Sequence, residues 1–381
     1  MKIAILGYGV VGSGAYEILT KSGYDVKRVL DIRPHDELGD VLTANYDDIL
    51  NDDEIGVVAE AIGGLEPAHT FVVKALKAGK CVVSSNKHLI CEYFDELHKL
   101  AFENNVTIRF TSSVGGGIPW LYNVKRTMNA DTISKIMGIM NGTTNFILDA
   151  MTSCGRDFDE VLKEAQALGY AEANPSADID GLDVARKTAI SSSLAFDTIV
   201  AENDVSVFSL RNITKCDIDY IKEKLNKAVR YMGFGQRNDD STISAFVEPV
   251  ILPNTSLEAN VNKNFNLISL FAGSVGRLSF YGQGAGKYPT GHALASDVID
   301  VVNGSRRLKH YEKALIVDNA KCERKYYIRA SVLPSGNFES YEKLDSYYYI
   351  ITNKMKVCEM HSLAKTILES DPLAFFAGFE E

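Results

Sequence analysis

The chain has 381 residues, of which 46% are hydrophobic and 24% charged, a composition typical of a globular protein with two or three domains. Its 50 acidic residues outnumber the 40 basic ones, and the basic residues form no long run, which argues against a nucleic-acid-binding surface. Six scattered cysteines without a CxxC motif indicate reduced thiols, and we see neither a signal peptide nor a membrane-spanning apolar run, so we expect a soluble cytoplasmic protein.

The first part of the chain alternates short apolar strands with helices. The predicted elements, in chain order, are strand Lys2–Leu6, an amphipathic stretch 15–21, strand Val26–Leu30, strand 55–61, helix 67–78, strand Cys81–Ser84, helix 94–104 and strand 106–110. This alternation predicts a Rossmann-type, doubly wound parallel sheet.

Three glycines, Gly7, Gly9 and Gly12, form a GxGxxG motif between the first strand and the first helix. Glycine permits the tight turn and lets the backbone approach a pyrophosphate, while the N–H groups at the helix start, around Val10 and Val11, can bind its oxygens. Because the motif opens a βαβ unit, it predicts dinucleotide binding rather than a purely structural turn.

Two residues near the end of the second strand bear on the choice of dinucleotide. The carboxylate of Asp31 could accept hydrogen bonds from a ribose diol, which favours NAD. Arg33 could instead bind the 2′-phosphate of NADP. The sequence favours NAD slightly and leaves NADP open.

From about residue 132 the pattern changes to longer strands around two helical blocks. The predicted elements are strands 133–140, 244–252, 266–272 and 276–281 and helices near 158–168 and 181–196. They predict a mixed α+β second domain. Residues 322–381 follow as a separate small α+β appendage, with two strands, one helix and a last short apolar piece.

One acid and one amine stand four residues apart just after Gly181, where a helix is expected to begin. On a helix Asp183 and Lys187 share a face, so a carboxylate and an ammonium could act together on one carbonyl compound. Taken alone, this spacing is more typical of an ordinary surface ion pair.

Further candidate residues lie where predicted strands end. Lys87, in SSNK (84–87), could place a positive charge at the carboxyl edge of the sheet or be a solvated loop lysine, and His88 is interpreted as a turn residue. VGGGIP (114–119) could coordinate an ion through carbonyls or form a flexible turn. NGTTN (141–145) could bind a small molecule or form an Asn-Gly turn.

Taken together, these blocks resemble the homoserine dehydrogenase family over about residues 1–304. The matching blocks are GYGVVG (7–12), IGGLEP (62–67), NK (86–87), SVGGGIP (113–119), NGTTN (141–145), LGYAEANPSADIDGLDVARK (168–187) and FYGQGAGKYPT (280–290). The resemblance implies reversible reduction of L-aspartate 4-semialdehyde to L-homoserine with NAD(P)H, in threonine and methionine biosynthesis. It also implies a homodimer or higher homo-oligomer.

The resemblance divides the chain into a dinucleotide-binding domain (1–130), a substrate and dimerisation domain (131–285), a helical return to the first domain (286–320) and the appendage (321–381). It makes Lys87 and Lys187 the catalytic lysines and Asp183 their acidic partner. It implies that Glu172 binds the amino group of the substrate. The other implied substrate residues are Gly142, Thr143 and Asp178, and the other implied cofactor residues are Gly63, Ser85, Asn86 and Gly286.

The chain departs from the family pattern at two places. Thr111 replaces a common glutamate near a site where Val114 and Gly116 carbonyls would bind Na⁺ or K⁺, so this cation is in doubt. The appendage resembles a shortened ligand-sensing βαββαβ (ACT-like) module without a clear first helix, which suggests a structural role. Two other functions stay open: another amino-acid or aldehyde dehydrogenase, or a nucleotide-binding regulator without chemistry.

Overall fold

The computed structural model describes residues 1–305 and 308–380. The chain forms two compact units, the first from Met1–Ala130, Ser193–Ala201 and Gly282–Ala314, the second from Asp131–Ser192, Glu202–Tyr281 and Leu315–Glu381. Within the described residues, no helix combines the length and apolar character needed to cross a membrane.

The strands of both units are numbered here in chain order. They are β1 (Lys2–Leu6), β2 (Val26–Leu30), β3 (Leu42–Thr43), β4 (Ile55–Glu60), β5 (Cys81–Ser84), β6 (Ile108–Arg109), β7 (Ile133–Ile139), β8 (Ser206–Val207), β9 (Lys227–Arg237), β10 (Thr242–Pro253), β11 (Phe265–Ala272), β12 (Gly276–Gln283), β13 (Ile316–Val317), β14 (Glu323–Arg324), β15 (Tyr326–Ala330), β16 (Phe338–Leu344), β17 (Tyr347–Thr352), β18 (Met355–Lys356) and β19 (Phe375–Phe379).

The α-helices are numbered in the same way. They are α1 (Val10–Lys21), α2 (Asp47–Leu50), α3 (Ala68–Lys77), α4 (Lys87–Glu92), α5 (Phe94–Glu103), α6 (Trp120–Met128), α7 (Gly142–Cys154), α8 (Phe158–Ala167), α9 (Ser176–Ile179), α10 (Leu182–Ala195), α11 (Lys215–Glu223), α12 (Lys287–Val302) and α13 (Val357–Ser370).

The sheet of the first unit is parallel, with the strand order β3-β2-β1-β4-β5-β6. Its central strands are apolar and almost fully buried, as expected when helices cover both faces of a parallel sheet. The predicted Rossmann-type fold is therefore confirmed. Its consequence for function is that the loops after β1, β2, β4 and β5 all leave the sheet at the same edge.

A helix from far along the chain completes this unit. α12 packs against α1 so closely that a Cβ at Gly14 would overlap the main chain of Lys287, and a Cβ at Gly291 would lie 2.8 Å from the Ala15 nitrogen. The ammonium of Lys287 binds Glu17 at 2.7 Å across the same contact. Small residues on both helices thus bring the start of α12 beside the helix that follows the glycine motif.

The second unit is built on one large mixed sheet. Its main path is β12-β11-β7-β9-β10-β19-β15-β17-β16, and β8 and β13 also pair with β10. The long antiparallel pair of β9 and β10 forms the centre, and both strands are buried along most of their length. β9 escaped sequence prediction because two glycines and several charged residues interrupt its apolar pattern.

The C-terminal α+β segment is present, but its strands continue this same sheet rather than forming one of their own. β19 pairs in parallel with β10, with Val250 opposite Gly378, and β15, β17 and β16 follow. The exposed edge strand β16 was missed because it is largely polar (FESYEKL). The apolar β19 is buried because it lies between two strands.

No helix connects β15 to β16 within the described residues, as the sequence predicted for the first helix of the ACT-like module. Instead α11 packs there from an earlier part of the chain. Its Tyr220 ring stacks on Tyr349 with the ring centroids 4.4 Å apart, and its Asp217 accepts hydrogen bonds of 2.8 Å from Tyr327 and Arg329. The C-terminal strands are therefore held by residues that precede β9.

An aromatic cluster in the first unit contains one buried histidine. His98 is 5% exposed, packs against Phe94, Phe110 and Tyr311, and donates through Nδ1 to the Phe94 carbonyl at 2.7 Å. Burial lowers the pKa of His98 from 6.5 to about 3. The folded protein therefore keeps this imidazole neutral.

We predict that His98 contributes to acid unfolding. The pKa of His98 is lower in the folded protein than in the unfolded chain, so below pH 6.5 the unfolded chain binds the proton first. The contribution of neutral His98 to the free energy of unfolding is therefore fully present above pH 6.5 and is lost as the pH falls towards 3. Each pH unit below 6.5 should remove about 1.4 kcal/mol from the free energy of unfolding, measured by urea titration. The variant His98→Phe should show a flatter pH dependence by one proton, and an unchanged slope would contradict the assignment.

Candidate active site

The glycine motif of the first unit brings main-chain segments close together at the start of α1. Gly7 has a φ of +91°, and a Cβ there would lie 2.8 Å from the Ala61 oxygen. A Cβ at Gly12 would overlap the Gly7 carbonyl, whereas no atom lies within 4 Å of a Cβ at Gly9. The first turn of α1 contains no acidic residue, and Gly9 caps it without a side chain. The geometry fits an approaching pyrophosphate, with the N–H groups of Val10 and Val11 beside it.

Asp31 lies directly after β2, and its carboxylate faces the glycine motif. It accepts a hydrogen bond from the Tyr8 nitrogen at 2.8 Å. The guanidinium of Arg33 donates to both of its oxygens, at 3.0 and 2.8 Å, and the Arg33 nitrogen adds a third bond. These bonds from Arg33 hold the pKa of Asp31 well below its usual range. The Asp31 carboxylate is therefore held in place beside the glycine motif.

A buried glutamate that sequence analysis missed organises the next two loops. Glu60, at the end of β4, is fully buried and accepts bonds from the nitrogens of Ile62 and Gly63, at 2.8 and 3.4 Å, and from the Ser84 hydroxyl at 2.5 Å. Burial raises the pKa of Glu60. Nothing in the apolar strand IGVVAEA marked this acid as more than a strand residue.

Asn86 caps the helix on which Lys87 lies. Its side-chain oxygen accepts from the Leu89 nitrogen at 3.1 Å, and its amide donates to the Gly64 carbonyl at 2.6 Å. The Ser85 nitrogen donates to the Glu60 carbonyl at 3.1 Å. The predicted residues Gly63, Ser85 and Asn86 thus meet in one hydrogen-bonded group. Lys87 is half-buried as the first residue of α4.

One expectation about this region is wrong. His88, interpreted as a turn residue, lies within α4, because the Asn86 cap starts the helix at Lys87.

Thr111, which replaces the expected glutamate, donates through its nitrogen and hydroxyl to Asp297 at 2.8 and 2.9 Å. Val114 is buried and Gly116 has a φ of +54°. Gly286 caps α12. The cation at Val114 and Gly116 stays a prediction.

The second unit contains its own polar cluster, centred on Asn141 at the end of β7. The Asn141 side-chain oxygen accepts from the Thr144 nitrogen at 2.8 Å, so that NGTTN begins α7 rather than forming an Asn-Gly turn. Its amide nitrogen donates to Asp178 at 2.7 Å and to Asp183 at 2.9 Å. One asparagine therefore caps a helix and joins two carboxylates.

Lys187 completes this cluster from the next turn of α10. Its ammonium donates to Asp183 at 2.7 Å and to the Met140 carbonyl at 2.6 Å. Asp183 is 5% and Lys187 8% exposed. The pair is therefore buried and organised, unlike the surface ion pair that the spacing alone suggested.

The remaining predicted substrate residues differ in burial and in their contacts. Thr143 is buried and donates to the Tyr170 carbonyl at 2.6 Å, and a Cβ at Gly142 would lie 2.8 Å from the Asn264 oxygen. Burial and the Asp183 charge raise the pKa of Asp178. Glu172 is exposed on a loop, where its carbonyl accepts from the Gln166 amide at 3.1 Å.

Each unit therefore contains a distinct chemical site. The first has a Rossmann-type sheet with a glycine motif, and the second has a buried acid–amine pair. This combination defines a dinucleotide-binding oxidoreductase. Sequence reasoning found the acid–amine pair but did not recognise Asn141 as the bridge or the Met140 carbonyl as the second acceptor, because neither contact follows a fixed spacing.

Comparisons with known proteins agree with this class. A family model described as homoserine dehydrogenase matches residues 119–299, and another described as homoserine dehydrogenase, NAD binding domain, matches residues 7–111. The homoserine dehydrogenases of Synechocystis sp. and Bacillus subtilis are each 39% identical, over 79% and 80% of this chain and 73% and 74% of theirs. The crystal structure of a homoserine dehydrogenase from Thiobacillus denitrificans matches with a TM-score of 0.90 and 29% identity, covering 100% of this chain and 98% of that chain.

The chain belongs to the homoserine dehydrogenase family.

We predict that the Asn141 bridge can be separated from the Asn141 cap. Asn141→Asp keeps a capping oxygen for α7 but removes both amide donors and adds a third carboxylate beside Asp178 and Asp183. The loss should be about 2 kcal/mol or more in the free energy of unfolding. Urea titration measures it, with Asn141→Ser as the uncharged variant and Asn86→Ser as the control for a lost capping asparagine. Wild-type stability in Asn141→Asp would contradict the bridging role.

Proposed function

We propose that this enzyme interconverts L-homoserine and L-aspartate 4-semialdehyde with NAD(P), in the biosynthesis of threonine and methionine. The observation that carries the proposal is the buried pair of Asp183 and Lys187, which holds an ammonium among oxygen acceptors. Family membership supports the same reaction.

The dinucleotide is assigned to the first unit. Gly7, Gly9 and Gly12, with the N–H groups of Val10 and Val11, would hold the pyrophosphate, and Asp31 would hold the ribose. The remaining candidates are Gly63, Ser85, Asn86 and Gly286. A bound nicotinamide supplies or accepts the hydride.

NAD is the cofactor that the charges favour. The carboxylate of Asp31 is held in place by Tyr8 and Arg33, and a 2′-phosphate would meet this negative charge. Arg33 is largely exposed and already paired with Asp31, so its charge offsets the repulsion only in part. NADP is thus expected to be used less efficiently.

The proton of the reaction is assigned to Lys187. In homoserine oxidation the hydroxyl loses its proton as the carbon loses hydride, and in the reverse direction the carbonyl oxygen gains it. Lys187, directly or through a water that it orients, would exchange this proton, while Asp183 and the Met140 carbonyl hold the amine in position. Lys87 would stabilise the developing alkoxide charge or share the proton transfer.

The amino group of the substrate needs an anionic partner. We assign it to Glu172, with Asp178, Thr143 and Gly142 as neighbouring polar groups, because a carboxylate binds an ammonium through charge-assisted hydrogen bonds. Glu172 is exposed, so this contact would form when substrate binds. Homodimer formation and a Na⁺ or K⁺ ion near Val114 and Gly116 belong to the same proposal.

We predict that Lys187→Met will lower the turnover of homoserine oxidation by at least about a hundredfold while the dissociation constant for NAD stays nearly unchanged. Lys215→Met is the matched control, since Lys215 forms an ion pair of the same i,i+4 spacing with Asp219, in which the side chains are 42% and 43% exposed. Cofactor absorbance measures turnover, and fluorescence titration measures cofactor binding.

Two outcomes would decide against the proposal. Wild-type turnover in Lys187→Met would remove the assigned role of the lysine. NAD binding by the wild-type chain without oxidation of homoserine would favour a nucleotide-binding regulator, and oxidation of other alcohols alone would favour another dehydrogenase.

We predict that Asp31 determines the choice of cofactor. The ratio of kcat/KM with NAD to kcat/KM with NADP should exceed one in the wild type. In Asp31→Ser it should fall by about tenfold or more, because the carboxylate is gone and Arg33 is released towards a phosphate. Arg33→Ser is the control, and its kcat/KM with NADP should fall below that of the wild type. An unchanged ratio in Asp31→Ser would show that other residues set the preference.

A further inference from the structure

A short turn connects the acids of the second-unit cluster. Residues 178–181, here the acidic turn, begin with Asp178, which binds Asn141, and end at Gly181, immediately before α10 with Asp183 and Lys187. Gly181 has a φ of +85°, and a side chain there would overlap the hydroxyl of buried Tyr231. One end of the acidic turn therefore packs closely against Tyr231.

The other side of the acidic turn is held by a second loop, residues 209–214, here the Arg211 loop. The guanidinium of Arg211 binds both carboxylate oxygens of Asp180, at 2.9 and 2.7 Å. The Ser209 hydroxyl donates to Asp180 at 2.9 Å, and the Leu210 nitrogen donates to the Ile179 carbonyl at 2.8 Å. This contact pairs two planar groups in a fork, which fixes orientation as well as distance.

The Arg211 loop is in turn attached to the C-terminal strands. The Asn212 amide donates to the carbonyls of Pro372 and Ala374, at 2.8 and 2.9 Å, just before β19. Arg329 of β15 donates to the Asn212 carbonyl at 2.8 Å and to Leu373 at 3.0 Å, and its Nε binds buried Asp217. The loop therefore lies between the acidic turn and the C-terminal segment, with hydrogen bonds to both.

We propose that Arg211 is a positioning residue for the substrate site, and that the C-terminal strands set its place through Asn212. This inference rests on the proposed function, since it concerns the acids that flank the assigned proton-transfer group. Asp178 and Asp183 lie two residues before and three after Asp180, so a shift of the turn moves both carboxylates. The C-terminal segment is then a support of the active site.

The pair itself contributes little to global stability. The Arg211 and Asp180 side chains are 51% and 35% exposed, and such pairs are worth about 1 kcal/mol or less. Its effect should therefore appear in the geometry of the acidic turn and in substrate affinity, rather than in the melting temperature.

The test compares Arg211→Met with the wild-type enzyme in homoserine oxidation. We expect the KM for homoserine to rise about fivefold, while the KM for NAD and the melting temperature stay near wild-type values. A purely structural role would lower the active fraction and hence kcat, but would leave the KM of the remaining folded enzyme unchanged. Arg156→Met is the matched control, because Arg156 binds Glu160 and Glu164 on the surface of the same unit.

Further variants separate the two halves of the proposal. Arg211→Lys keeps the charge but not the two-pronged geometry of the guanidinium, so it should raise the homoserine KM less than Arg211→Met does. Asp180→Asn combined with Arg211→Met should raise the homoserine KM no more than Arg211→Met alone. Asn212→Ala, which removes the two amide bonds from the Arg211 loop to the Pro372 and Ala374 carbonyls, should also raise the homoserine KM. An unchanged KM in Asn212→Ala would overturn the role of the C-terminal strands.

Failure of this inference differs from failure of the proposed function. If wild-type enzyme oxidises homoserine and Arg211→Met keeps a wild-type KM, the positioning role is wrong and the function stands. If wild-type enzyme does not oxidise homoserine, the proposed function is wrong, and the positioning role, which depends on it, is overturned as well.

Discussion

The structure of the second unit depends on burying one ammonium among oxygen atoms. A buried lysine is costly unless it is paired and hydrogen-bonded, and Lys187 meets this condition through Asp183 and the Met140 carbonyl. Asp183 in turn shares the Asn141 amide with Asp178. The end of β7, the start of α7, the turn before α10 and α10 itself must therefore meet at one place. Removing Lys187 would leave the buried Asp183 carboxylate without its ion-pair partner.

A similar constraint operates in the first unit around a buried carboxyl group. Glu60 is buried at the end of β4, where its carboxyl group accepts from the Gly63 nitrogen and from the Ser84 hydroxyl, which lies just before Ser85. In both units a buried polar side chain at a strand end orders the neighbouring loops. These loops contain the candidate binding groups, and this order is a form of preorganisation.

Much of this architecture was readable from the chain, and the limits have physical reasons. Period and spacing revealed the parallel sheet, the glycine motif and the shared helix face of Asp183 and Lys187, since these are local patterns. Spacing could not show that the pair is buried, because burial depends on Met140 and Asn141, more than forty residues away. Glu60 looked like a strand residue, and the pairing of β19 with β10 joins residues about 128 apart, such as Val250 and Gly378.

The proposed reaction requires Lys187 to exchange a proton with the substrate oxygen. A crystal structure with L-homoserine and NADH, a pair that cannot react together, tests it most directly. We expect the homoserine hydroxyl oxygen within about 3 Å of the Lys187 ammonium, or joined to it through one water. A hydroxyl bound elsewhere, with Lys187 contacting only Asp183 and the Met140 carbonyl, would contradict it.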